Sequence, residues 1–243
     1  MINEIARILR KTKKVAILTG AGVSAESGIA TFRDPDGLWA KFNPMELASM
    51  KGFMSNPQLV WKWYQYRRKI IANAQPNAGH YAIAEMEKMF DFFSLATQNV
   101  DRLHQRAGSS KVIELHGNII DNYCIKCGEY YKKEINSDDN SLPKCESCGG
   151  QIRPAVVWFG EMLPEEAITK AYDASQIAEV YFSIGTSAEV YPAADLPRQA
   201  KRNGAVLIEI NPNQTVLSGF ADFKIAEPSA VALPKLIKLM KEE

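Results

Sequence analysis

Long apolar runs are missing from this chain. Nothing in it approaches the roughly 20 consecutive apolar residues of a membrane span, so a transmembrane helix is excluded on length. Charge of one sign is scarce too: 29 Lys and Arg face 28 Asp and Glu, and a net charge of +1 offers nothing to a nucleic-acid partner held by charge alone. Histidine is limited to His80, His104 and His116, which leaves a short candidate set for proton transfer near neutrality. Cysteine is limited to four residues, all between positions 124 and 148, so no disulfide framework spans the chain and a core must hold it. At 243 residues and 46% hydrophobic, the chain is large enough to bury one. The first residues set Ile5, Ile8 and Leu9 against Arg7, Arg10 and Lys11, an amphipathic pattern without the apolar segment of a secretory signal, and a cytoplasmic location is expected.

Short apolar runs rich in β-branched and aromatic residues recur at 15–19, 92–97, 112–115, 180–184, 206–210 and 223–226. Runs apolar on both faces and separated by helical spacing predict strands of a mostly parallel, doubly wound α/β sheet. Any one run taken singly also suits a buried helix. More than one crossover helix fits between the first two runs, and Asn56-Pro57 ahead of Leu59, Trp61, Trp63, Tyr64 and Ile70 predicts an N-capped helix within that insertion. A second insertion, 123–153, holds the cysteines. The expected division is a large domain of 1–36, 75–122 and 153–243 and a small domain of 37–74 and 123–152, with a cleft between them.

The first run ends in Gly20-Ala21-Gly22-Val23-Ser24-Ala25, which fits a strand-to-helix phosphate turn and equally a plain tight turn. A hydride-transferring dehydrogenase would place an acid about 20 residues on to hold the ribose, and here that region is inserted loop. Cys124-x2-Cys127-x17-Cys145-x2-Cys148 has the spacing of a zinc ribbon. Four thiolates close the shell, so such a metal is structural; a redox dithiol pair is the other reading. His116 follows 112–115 at the C-terminal end of a strand, where open α/β sheets bind ligands and where a near-neutral base is well placed. Position alone leaves a structural histidine open. His80, in Pro76-Asn77-Ala78-Gly79-His80, reads as a helix-start residue with a structural task.

Read together, the segment Gly20-Ala21-Gly22-Val23-Ser24-Ala25-Glu26-Ser27-Gly28-Ile29-Ala30-Thr31-Phe32-Arg33, Thr97-Gln98-Asn99-Val100-Asp101, His116-Gly117, the four cysteines, Val156-Val157-Trp158-Phe159-Gly160-Glu161 and Gly185-Thr186-Ser187 resemble the sirtuin family in order and spacing. The resemblance runs over nearly the whole chain. It implies a Rossmann-like domain with a small zinc-bearing domain, and NAD and an acyl-lysine protein or peptide meeting in the cleft. By that resemblance Gly20, Ala21, Gly22 and Arg33 hold the phosphates, with Ala25, Phe32 and Trp39 also in contact with the cofactor. Gln98, Asn99 and Asp101 line the ribose and nicotinamide pocket, and Gly185, Thr186, Ser187, Asn211, Pro212, Asn213 and Ser229 surround the adenosine half. His116 is the implied general base and Asn99 its catalytic companion; NAD is consumed, giving nicotinamide, O-acyl-ADP-ribose and free lysine. Val156, Val157, Trp158, Phe159 and Gly160 form the implied edge on which a substrate peptide adds as a strand.

Tyr64 and Arg67 lie three apart on the expected helix, hence on one face. They resemble the Tyr-x-x-Arg pair of the sirtuin subclass that accepts succinyl, malonyl or glutaryl lysine, since a guanidinium can grip a carboxylate bidentately while a phenol adds a hydrogen bond. The bland alternative makes Arg67 and Arg68 a solvated helix face and Tyr64 a packing residue. A binding module built on the zinc ribbon is a rival function, but it leaves His116, Asn99 and Asp101 without a task. The expected partners are acyl-lysine proteins or peptides, with neither a membrane nor direct nucleic-acid contact.

Overall fold

A computed structural model describes residues 1–32, 43–136 and 138–242. In chain order the elements are α1 (Ile2–Leu9), β1 (Lys14–Thr19), α2 (Gly22–Ala25), α3 (Pro44–Leu47), α4 (Met50–Ser55), α5 (Pro57–Asn73), α6 (Ala78–Met86), β2 (Phe92–Thr97), α7 (Leu103–Arg106) and β3 (Val112–Glu114). There follow β4 (Gly117–Cys124), β5 (Ile152–Val156), α8 (Glu165–Ile177), β6 (Val180–Ile184), α9 (Leu196–Arg202), β7 (Val206–Ile210), β8 (Phe223–Ile225) and α10 (Ser229–Lys241). No helix among the described residues is long and apolar enough to cross a membrane.

The six apolar runs become one sheet in the order β3-β2-β1-β6-β7-β8, with every pairing parallel. Period-two alternation divides β1 between two cores. Val15 and Ile17 join Ile5, Leu9, Ile83 and Leu233 on one face, under α1, α6 and α10, whereas Ala16 and Leu18 join Ala171, Ala174, Leu196 and Leu207 on the other, under α8 and α9. The chain order turns back between β1 and β6, the switch point at which sheets of this type open a crevice beyond their strand ends.

The two insertions pack together over that crevice. The predicted helix is α5, with Asn56 accepting a bond from Leu59 N–H and Pro57 in its first turn. Its Val60, Trp63, Tyr64 and Ile71 bury against Phe53, Ile119, Val156 and Trp158 as a third core. Arg68, which the sequence alone leaves free to be a surface residue, is buried instead. It donates to the Ile119 carbonyl (2.8 Å), Gln65 Oε1 (2.5 Å) and Asn122 Oδ1 (2.5 Å), tying α5 to β4, and burial brings its pKa down to about 10. β4 and β5 form a separate antiparallel ladder. The expected boundaries at 122/123 and 152/153 fall inside this ladder, which runs from Gly117 beside His116 to the cysteines.

Candidate active site

The ends of β1 and β6 approach so closely that a side chain on either turn cannot fit. A Cβ on Gly20 would lie 2.8 Å from the Gly185 carbonyl oxygen, and one on Gly22 would lie 2.7 Å from Gly185 Cα. The Gly20 amide bonds the Ile184 carbonyl and the Gly22 amide the Gly185 carbonyl, so among the described residues Ala21 is the one of the three whose N–H has no backbone acceptor. Beyond this junction opens a cavity of about 980 Å3.

The cavity gathers most of the residues singled out in the sequence. Gly20, Ala21, Gly22, Ala25, Phe32, Gln98, Asn99 and His116 line it, as do Gly185, Thr186, Ser187, Asn211, Pro212 and Asn213. Tyr64, Arg67, Val156, Val157, Trp158, Phe159 and Gly160 form another part of its wall. Asp101 and Ser229 are not on the wall: Asp101 is held behind it by Ser24 Oγ (2.8 Å) and the Leu103 amide (2.9 Å), and Pro228 lines the cavity where Ser229 was expected. Arg33 and Trp39 lie outside the described residues.

His116 Nδ1 lies 3.1 Å from the Gln98 carbonyl oxygen. A carbonyl only accepts, so Nδ1 carries the proton and Nε2 keeps the free lone pair. Burial lowers the His116 pKa, with the bond to Gln98 opposing, which leaves a neutral imidazole at pH 7. Asn99 donates Nδ2–H to the Gly20 carbonyl (3.0 Å) and to Ser24 Oγ (3.2 Å), and no donor among the described residues reaches its Oδ1. Ser24 is the hub that sequence reasoning left unassigned. It donates to Asp101, and His80, whose Nδ1 accepts the Asn77 amide, turns Nε2–H toward Ser24 Oγ at 3.4 Å. His80 stands at the start of α6 as expected, completing a capping box with Asn77, and burial drops its pKa to about 4.

Arg67 is 7% exposed, and its guanidinium stands 5.0 Å from the Phe32 ring centroid and 5.1 Å from that of Trp63. Among the described residues it has neither a hydrogen-bond acceptor nor an ion-pair partner. Tyr64 accepts the Trp158 indole N–H at 2.8 Å, and burial raises its pKa against the pull of Arg67 and of that bond. In the following segment the N–H groups of Val157, Trp158 and Phe159 are committed to the His116 carbonyl, the Glu161 carboxylate and the Ala48 carbonyl.

The four cysteine sulfurs lie within 4.8 Å of one another. Cys124 and Cys148 are 3.5 Å apart and Cys127 and Cys145 3.7 Å, far beyond the roughly 2.05 Å of a disulfide and close to the ~3.8 Å edge of a tetrahedron of thiolates about 2.3 Å from zinc. Gly128 (φ 74°) and Gly149 (φ 69°) turn the two knuckles through the left-handed region. The donor set fits one structural zinc ion with a closed shell.

A six-stranded parallel sheet with a glycine-built switch point, covered by a helical and zinc-ribbon lobe, defines a nucleotide-binding protein of Rossmann type. The chain belongs to the Sir2 family, whose model matches residues 20–192. It is 52% identical over 229 residues, 94% of this chain and 96% of the relative, to an NAD-dependent protein deacylase of Aquifex aeolicus (strain VF5). A solved Sir2 homologue mutant with ADP-ribose superposes with a TM-score of 0.95 at 43% identity, covering 98% of this chain and 96% of the other. A Sir2 complex with a p53 peptide and NAD+ does so at 0.87 and 32% identity, covering 98% of each.

Proposed function

We propose that this NAD-dependent protein deacylase removes, besides acetyl, acyl groups that end in a carboxylate, succinyl and malonyl above all, from lysine side chains of proteins. The observation that carries the reading is the buried Arg67 guanidinium on the cavity wall, which among the described residues feels the Asp101 carboxylate only at a distance and has no carboxylate within ion-pair reach. Buried charges are ordinarily paired, and a cation left in this state is a site for an anion that arrives with a ligand. Tyr64, three residues away on α5, adds a phenol to the same wall. A terminal acyl carboxylate fits that pair, and acetyl, lacking the charge, is admitted by the aromatic surroundings.

The remaining groups suit the chemistry of deacylation. NAD, when bound, supplies the ribose carbon to which the acyl oxygen bonds as nicotinamide leaves, and the ribose hydroxyl that carries the acyl group away as O-acyl-ADP-ribose. Gly20, Gly22 and Gly185 keep the junction of β1 and β6 free of side chains, and the Ala21 amide is available to a phosphate. Asn99 offers Oδ1 to the nicotinamide end. The acyl-lysine is held by the acyl pocket on one side and by Val157 to Gly160 on the other, so positioning provides a large part of the rate. With the amides of Val157, Trp158 and Phe159 spent internally, the segment offers a peptide strand its Val157 carbonyl and Gly160 amide. His116 Nε2 takes the proton from the ribose hydroxyl.

The test is Arg67→Met, assayed on one peptide bearing either acetyl- or succinyl-lysine. A charge-assisted hydrogen bond contributes about 1.5–3 kcal/mol, so the succinyl-to-acetyl ratio of kcat/KM should fall roughly ten- to a hundredfold. An equal loss on both substrates in a folded protein removes the acid-recognition role and leaves NAD-dependent deacylation standing.

A further inference from the structure

Tyr64 lies on α5 and Trp158 in the segment after β5, and their polar atoms meet in the third core. Trp158 Nε1 donates to Tyr64 Oη at 2.8 Å, with Tyr64 1% and Trp158 2% exposed. An indole nitrogen only donates, which fixes the direction: the phenol oxygen accepts, and its own proton must go elsewhere. Among the described residues no acceptor takes that proton. With the inner side of the oxygen occupied by the indole, the direction left to the O–H is away from Trp158.

The indole is packed from both sides. The Arg153 guanidinium lies 3.4 Å from the Trp158 ring centroid, and Phe53 packs on the ring at 5.2 Å. Arg153 is bound by both carboxylate oxygens of Glu161 and by the Val156 carbonyl (2.7 Å). The same Glu161 accepts the Trp158 backbone amide at 2.8 Å. Trp63 meets the Tyr64 ring edge-on, with centroids 4.8 Å apart at 87°. The result is a chain of contacts from Glu161 through Arg153 and Trp158 to one phenol oxygen.

We propose that Trp158 is a specificity-determining positioning residue that acts through Tyr64, its indole N–H occupying the phenol oxygen so that the phenol proton is reserved for an acyl carboxylate. This rests on the reading of Tyr64 and Arg67 as an acidic-acyl pocket. A hydrogen bond donated into a hydroxyl also polarises that hydroxyl and makes it a better donor in turn. Trp158 therefore favours acidic acyl groups without touching their carboxylate. Acetyl-lysine, which has no terminal acceptor, gains nothing from it.

The experiment is a double-mutant cycle on the full chain with Trp158→Phe, Tyr64→Phe and the pair, read as the succinyl-to-acetyl ratio of kcat/KM on one peptide. Trp158→Phe should lower the ratio roughly three- to tenfold, the worth of one oriented hydrogen bond. In the Tyr64→Phe background the same change should leave the ratio where Tyr64→Phe alone puts it, because the route through the hydroxyl is gone. A packing role would instead shift both backgrounds alike and overturns the proposal. So does a ratio that falls in Tyr64→Phe yet stays at the parent value in Trp158→Phe. If Tyr64→Phe and Arg67→Met both leave the ratio unchanged, it is the acidic-acyl reading that has failed, and the proposal falls with it. Should Trp158→Phe not fold, 3-benzothienylalanine at position 158 keeps the bicyclic volume, removes only the donor, and should give the same fall; an unchanged ratio there is equally decisive against it.

Discussion

The contact between His116 Nδ1 and the Gln98 carbonyl sets the tautomer, and burial favours the neutral form, which are the two conditions the proposed role of His116 as general base requires. A His pKa lowered from 6.5 leaves the base form intact at neutrality and lets it disappear only as the pH falls through that lowered value. The pH profile of kcat/KM should therefore have an acid limb with its midpoint below pH 6.5. His116→Ala should remove the limb and cut activity at least about a hundredfold while NAD affinity, measured by titration, stays within a few-fold. An acid limb that survives the substitution assigns it to another group. At this scale the sequence was informative where a motif fixed the environment, as for His116 and Asn99. It left the adjacent pair Arg67 and Arg68 open between carboxylate recognition by Arg67 and a solvated helix face, because the acceptors that claim Arg68, Ile119 and Asn122, lie some 50 positions further along, on β4. Composition and spacing do not show that Arg68 is the one held by β4. Ser24 went unassigned for the same reason: its partners Asp101, Asn99 and His80 are brought to it only by the fold.

Among elements, β7 carries an acid in the middle of an apolar strand, and the structure explains it. Glu209 is 1% exposed and binds Thr215 and Ser218 (2.5 Å) through their hydroxyls, with Lys224 at 3.5 Å. Those bonds fold the loop of Asn211, Pro212, Asn213, Gln214, Thr215 and Val216 against the cavity. Glu209→Gln weakens them, and the expected outcome is a KM for NAD raised several-fold, with stability in urea lowered by about 1–3 kcal/mol. A stability loss with KM for NAD at the parent value would mean that the loop keeps its shape without the carboxylate. Apolar runs located all six strands of the large sheet to within a residue at most of their ends. The β4–β5 ladder escaped, because β4 interleaves Asn118, Asp121 and Asn122 with its apolar residues and β5 contains Pro154. A short ladder whose apolar residues are broken up by polar ones and by a proline has no long apolar run to detect.

For the whole molecule, that ladder is the link between metal and chemistry. Its near end begins beside His116 and closes at Val156 on the cavity wall, and its far end reaches Cys124 and Ile152, whose small core includes Cys145. Cys145→Ser opens the zinc shell, and since structural zinc sites contribute folding energy directly, the ribbon should unravel from its far end. Metal analysis should fall from one zinc per chain to none, the thermal transition should drop, and deacylation should be lost although no cysteine lines the cavity. A folded, active, zinc-free variant would falsify this account.

The position of β1 also sets an order of events during synthesis. Val15 pairs with Phe93 on one side and with Val180 on the other, so the central strand of the sheet is made early and its second neighbour late. Chains emerge N-terminus first, and pairings between distant segments are slow to form. Until β6 leaves the ribosome, one edge of an almost wholly apolar strand has no native partner, which is the condition under which strands pair wrongly with other chains. The strand whose end builds the glycine junction of the cavity is thus the one that waits longest for its native environment, and yield at high expression should depend on how well that interval is protected.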